Sequence, residues 1–117
     1  MPIRGRIFVV DDDAASTDIL HDLLEKSGYT VDVAVSGKDA LTVIPAANPN
    51  LVLLGDNIQD INPFTLLKKL RESEQTTYIP VVFMISVNDA EVRVKGVELG
   101  DDLITKPFET REVLARV

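Results

Sequence analysis

Two adjacent carboxylates, Asp11 and Asp12, a hydroxyl, Ser86, and an amine, Lys106, are the residues of this chain whose types suit one piece of chemistry. Oxygen ligands hold a hard cation such as Mg2+, a lysine offsets phosphate charge, and a hydroxyl donates to a phosphate oxygen. Each of them follows a short apolar run: residues 7–10 precede the aspartates, 80–85 precede Ser86 and 103–105 precede Lys106. A further run, residues 51–54, ends in Gly55 and Asp56. In a parallel sheet the residues just past each strand collect on one edge, where α/β proteins place their active groups. That edge then holds acids, a hydroxyl and a lysine around a glycine. A plainer reading has Asp11 and Asp12 finishing a strand and capping a helix while Lys106 pairs with one of them. The matching Ser and Lys at other strand ends favour a site.

The elements that must position these residues are readable from periodicity and caps. Residues 7–10 and 51–54 are continuous apolar runs, as expected of strands buried on both faces. Val31, Val33 and Val35 alternate within a half-buried, edge-type strand. Asp13 caps a helix with Ile19, Leu20, Leu23 and Leu24 inward and Gly28 as its stop. Ser36 caps a helix presenting Ala40, Leu41 and Ile44 and closed by Pro45. Pro63 suits the first turn of a helix carrying Phe64, Leu67 and Leu70. Asn88 or Asp89 begins a fourth helix ended by Gly100, and residues 109–117 begin a fifth. Strict alternation of strand and helix with short links predicts a parallel sheet covered on both faces.

At 117 residues the chain is one domain with enough length for a real core. Twelve basic against nineteen acidic residues, a net charge of −7, argue against binding nucleic acid or an anionic membrane by charge. The absence of cysteine excludes disulfides and thiolate chemistry. No run approaches a membrane span, and the apolar stretch after Arg4 and Arg6 stops at Asp11, too early for a signal peptide. The expectation is a cytoplasmic protein. The last helix shows Val113, Leu114 and Val117 at helical spacing without a C-cap, so a longer parent protein, cut in or after that helix, is expected.

The chain resembles the receiver domain of two-component response regulators over essentially all of its length. The resemblance is carried by Ile7-Phe8-Val9-Val10-Asp11-Asp12-Asp13, Ser27-Gly28-Tyr29-Thr30-Val31 and Gly37-Lys38-Asp39-Ala40-Leu41. Ile79-Pro80-Val81-Val82, Gly96-Val97-Glu98-Leu99-Gly100 and Thr105-Lys106-Pro107-Phe108 continue it. Singly these motifs are weak; their order and spacing are specific. The resemblance implies a flavodoxin-like (βα)5 fold, a doubly wound five-stranded parallel sheet of order 2-1-3-4-5. It also implies that an aspartate ending the third strand takes a phosphoryl group from a partner kinase's phosphohistidine. Asp11, Asp12 and the backbone carbonyl of Asn57 would hold Mg2+, Lys106 and Ser86 would contact the phosphate, and Lys106-Pro107 matches the family's cis-prolyl junction.

Several departures fall on the same loop and edge. Gly55 stands at the acceptor position, Gln59 where the family prefers proline, Pro63 where it prefers glycine, and Leu103 at the aromatic switch position. The segment from Gly100 to Lys106 is one residue shorter than the usual pattern. A glycine cannot form an acyl phosphate, and Mg2+ loses a ligand, so binding is expected to be weakened and not required. The neighbouring Asp56 is the substitute acceptor in an alternative reading, although adjacent side chains of an extended segment point to opposite faces. The winged-helix branch of the family dimerises through its fourth helix, fifth strand and fifth helix. Here that face would offer Arg93, Asp101, Asp102, Glu112 and Arg116.

The expected function is a pseudo-receiver in two-component signalling: a protein-interaction or dimerisation module, not an enzyme, without conventional aspartate phosphorylation. Its expected partners are a sensor kinase, an output domain or a second copy. A small Mg2+-dependent phosphatase of the haloacid-dehalogenase type is a weaker alternative suggested by Asp11-x-Asp13. Lys106 follows Gly100-Asp101 instead of preceding it, and no cap insertion is present. His21 reads as solvent-facing, and Tyr29 and Tyr78 read as packing residues.

Overall fold

Apolar runs that alternate between two cores build the centre of the molecule. The computed structural model describes residues 5–55, 58, 60–86 and 102–106. Five strands, β1 (Gly5–Val10), β2 (Tyr29–Ala34), β3 (Leu51–Gly55), β4 (Val81–Ser86) and β5 (Asp102–Lys106), form one sheet in the order β2-β1-β3-β4-β5. All four strand pairs are parallel. Phe8, Val10, Val52, Leu54, Val81 and Phe83 point to one face, and Ile7, Val9, Leu53, Val82 and Met84 to the other. The side-chain period of two divides each run between faces, so a continuous apolar run means burial on both.

Among the described residues three helices cover those faces: α1 (Ala14–Lys26), α2 (Gly37–Ala47) and α3 (Pro63–Glu72). On one side α1 contributes Leu20 and Leu24. On the other, α2 contributes Ala40 and Ile44, and α3 contributes Leu66, Leu67 and Leu70. The Phe64 and Phe83 rings lie 5.1 Å apart at 43°, joining α3 to the sheet. The doubly covered parallel sheet is the one expected from alternation, and its strand order is the one the resemblance implies. The helices expected over residues 88–100 and 109–117 lie outside the described residues.

The caps follow the sequence closely. Asp13 Oδ1 accepts from the Ala15 N–H, Ser36 from the Asp39 N–H and Asn62 from the Phe64 N–H, with Pro63 opening α3. Four expectations need correction. Ile19 is exposed, and Thr17 takes the third buried place on α1, because Thr17, Leu20 and Leu24 share one helical stripe. Helix α2 passes through Pro45 to Ala47: the ring removes only one donor in the last turn, and Asn48, left-handed at φ 47°, returns its N–H to the Ile44 carbonyl. Of the alternating valines only Val31 reaches a core; Val33 is exposed towards the end of the edge strand β2, and Val35 lies beyond that strand and is also exposed. Tyr78 is exposed too, its hydroxyl donating to Asn48 Oδ1 at 2.9 Å. His21 is partly exposed as expected, with Nε2 3.4 Å from Glu25.

Candidate functional site

The carboxyl edge of the sheet is built by register. Val10 pairs with Leu54, so the next residues, Asp11 and Gly55, lie side by side across β1 and β3. Gly55 pairs in turn with Met84, two residues before the end of β4. Ser86 pairs with Lys106, which sets the hydroxyl-bearing and amine-bearing residues together at the ends of β4 and β5. Asp11, Asp12, Gly55, Ser86 and Lys106 therefore share one edge, as strand ends require. Asp56, Asn57 and Gln59 lie outside the described residues, as do Arg93, Asp101, Pro107, Glu112 and Arg116. Asp102 opens β5 opposite Val82, and Leu103 pairs with Phe83 in mid-strand.

The three consecutive aspartates do different work. Asp13 is the α1 cap; besides the Ala15 N–H its carboxylate accepts from the Ser16 hydroxyl at 2.9 Å. Asp12 is half-buried. Asp11 is fully buried, at 0% exposure. Its N–H donates to the Ala34 carbonyl at 3.1 Å, which prolongs the β1–β2 ladder, and its Oδ1 accepts from the Asp13 N–H at 3.1 Å. Its carboxylate turns toward Gly55. A Cβ built on Gly55 would stand 2.5 Å from Asp11 Cγ and 3.1 Å from Asp11 Cβ, and it would overlap Oδ2.

The loop leaving Gly55 is anchored at two further points. Ile58 is buried in the same core as Phe83. Asp60 reaches the amino end of α2, where Oδ1 accepts from the Gly37 N–H at 2.9 Å and Oδ2 from the Lys38 N–H at 3.0 Å. Those two N–H groups have no partner within the helix, and accepting from them holds the Asp60 carboxyl below its usual range. Sequence reasoning missed Asp60. Its partners are 22 and 23 residues away, and no local pattern marks such a long-range cap.

Of the residues the resemblance assigns to a divalent cation, Asp11 is enclosed beside Gly55, Asp12 is half-buried, and Asn57 lies outside the described residues. Among the described residues no three His, Cys, Asp or Glu side chains are grouped to hold a metal ion.

A doubly covered parallel sheet with acids, a serine and a lysine on its carboxyl edge defines a protein of the flavodoxin-like class. Within that class the model of the response regulator receiver domain matches residues 7–117, and the chain belongs to that family. It is 35% identical over 113 residues, 96% of its length, to the DNA-binding dual master transcriptional regulator RpaA of Synechocystis. It is 37% identical, again over 96% of its length, to the transcriptional regulatory protein DltR of Streptococcus agalactiae. It spans 47% and 50% of these relatives, about half the length of each. Among solved structures, the receiver domain of a Francisella response regulator superposes with a TM-score of 0.86 at 28% identity, covering 97% of this chain and 93% of that one. The chemotaxis response regulator CheY4 of Vibrio cholerae shares the fold, with a TM-score of 0.88 at 21% identity over 96% of this chain and 94% of that one. Among the described residues no helix is long and apolar enough to cross a membrane.

Proposed function

We propose that this chain is a pseudo-receiver: a receiver-family module that works through protein contacts and not through a phosphorylated aspartate. One observation carries the reading. The residue ending β3 at the acidic edge is Gly55, which has no carboxylate, and the volume its side chain would enter is filled by Asp11. Receiver phosphorylation is nucleophilic attack by a carboxylate on a phosphoryl group, and a hydrogen atom cannot replace it. Mg2+ is dispensable on this reading, since its acceptor ligand is gone and Asp11 faces inward.

The remaining edge residues, Asp12, Ser86 and Lys106, are then remnants of the phosphate pocket, and Leu103 no longer acts as an aromatic switch. Partners of the kind expected for the family are a sensor kinase, an output domain in a longer chain or a second copy. The test is intact-mass measurement after incubation with Mg2+ and acetyl phosphate. No phosphoryl adduct is expected. An adduct mapped to Asp56 overturns the proposal in favour of a displaced acceptor. Turnover of p-nitrophenyl phosphate above background overturns it in favour of a phosphatase.

A further inference from the structure

Glycine is usually kept in a fold for one of two reasons, a backbone conformation that other residues avoid or a lack of room. Among the described residues the glycines with positive φ are Gly5, at 149°, and Gly28, at 100°. Gly55 is not one of them; it sits in regular β3 and pairs with Met84. Conformation therefore does not explain it, and the room around it does. The three atoms nearest a Cβ at position 55 are Oδ2, Cγ and Cβ of Asp11, with no backbone atom or other residue among them. Real Cβ atoms essentially never come within 3.0 Å of such neighbours. All three of those nearest atoms belong to one side chain.

We infer that Asp11 and Gly55 are a matched pair, in which the Asp11 side chain has taken the volume of the missing residue-55 side chain and plugs the acidic corner from within. This rests on the pseudo-receiver reading and deepens it. The corner is closed to a phosphoryl donor by a carboxylate of the protein itself. The orientation of the plug is held, because Oδ1 takes the Asp13 N–H and the residue has no exposure through which to swing out. Rotating Asp11 outward toward a cation breaks that hydrogen bond and leaves an empty space over Gly55. Close packing disfavours such a space.

The pairing predicts a reversal of sign. Gly→Ala in a regular strand ordinarily stabilises, by restricting the unfolded chain and filling space. Here Gly55→Ala should lower the melting temperature of the otherwise unaltered protein, because the new methyl group drives into Asp11. In an Asp11→Ala background the same Gly55→Ala change should raise it. An equal effect of Gly55→Ala in both backgrounds overturns the pairing. Should Asp11→Ala fail to fold, the unaltered protein decides by amide NMR during a Mg2+ titration. The Asp11, Asp13 and Gly55 amides should stay in place at millimolar Mg2+, and saturable movement of all three overturns the inference. The two readings fail separately. A phosphoryl adduct on the unaltered protein sinks the pseudo-receiver without making the mutant effects additive. Additive effects sink the plug without creating an acceptor.

Discussion

Gly37, the first residue of α2, offers a sharp test of how the loop after β3 is held. Replacing a helical glycine by alanine normally stabilises by up to about 1 kcal/mol, since glycine is the poorest former after proline. The backbone at Gly37 raises no objection, because its φ is not among the positive values of the described glycines. A Cβ there would nevertheless overlap the Cγ2 methyl of Ile61, and it would lie 3.3 Å from Ile61 Cβ and 3.5 Å from Asp60 Oδ1. Ile61 is half-buried and packs against the core, so it cannot simply swing into solvent. Overpacking of this kind costs about 1–3 kcal/mol. Set against the propensity gain, Gly37→Ala should destabilise by about 1–2 kcal/mol, on the order of 4 °C in melting temperature per kcal/mol for a chain of this size. Urea denaturation of the single variant and of Gly37→Ala with Ile61→Ala gives the answer. The second substitution should remove the penalty of the first. A stabilised single variant, or strictly additive effects, would refute the account of the loop as packed on the amino end of α2.

Two further outcomes follow from the same contacts. The Asp60 carboxyl titrates below its unfolded value because the charged form accepts from the Gly37 and Lys38 N–H groups, so its contribution is complete above an unfolded pKa of about 3.9 and is lost as pH falls through the lower folded value. Asp60→Asn should therefore flatten the acid limb of the stability profile below about pH 4, and profiles that run parallel over that range argue against the cap. Phe83, fully buried and tilted against Phe64, should cost about 3–5 kcal/mol on change to alanine. A loss under about 1 kcal/mol by chemical denaturation would mean that α3 is not seated on β4 as described.

What could be read from the chain divides along physical lines. The central strands were legible because burial on both faces writes itself as unbroken apolar runs, residues 7–10 and 51–54 being the clearest. The caps at Asp13 and Ser36 were legible because a capping side chain sits within three residues of the N–H it serves. Pro45 misled because a proline near a helix's end loses only one hydrogen bond, and an αL Asn48 can still close the helix. Ile19 misled because hydrophobicity alone does not say on which side of a helical stripe a residue falls. Strand alternation alone put Asp11, Ser86 and Lys106 at the ends of their strands, where the backbone register also has them. The direction of the Asp11 side chain was hidden, because it depends on an atom absent from Gly55, and sequence patterns encode residues present and not the space they vacate.

That vacated space explains how a receiver scaffold tolerates a glycine at this edge. The two cores run through β1, β3 and β4 beneath the edge and depend on Val10, Leu54 and Met84, so nothing at position 55 is needed to hold the sheet together. An acceptor carboxylate there would add a further negative charge beside Asp11 and Asp12, and like charges at such separations raise one another's protonation cost. Glycine removes that repulsion but opens a void, and an unfilled void beside buried strands costs dispersion contacts. On the inferred pairing Asp11 answers both terms at once: it fills the void, and it does so with a carboxylate whose Oδ1 already has the Asp13 N–H as a donor. Restoring a carboxylate at position 55 alone would then not restore a receiver site, because two acidic side chains would compete for one volume. The acidic edge is best understood as a unit in which changing one residue resets the meaning of its neighbour.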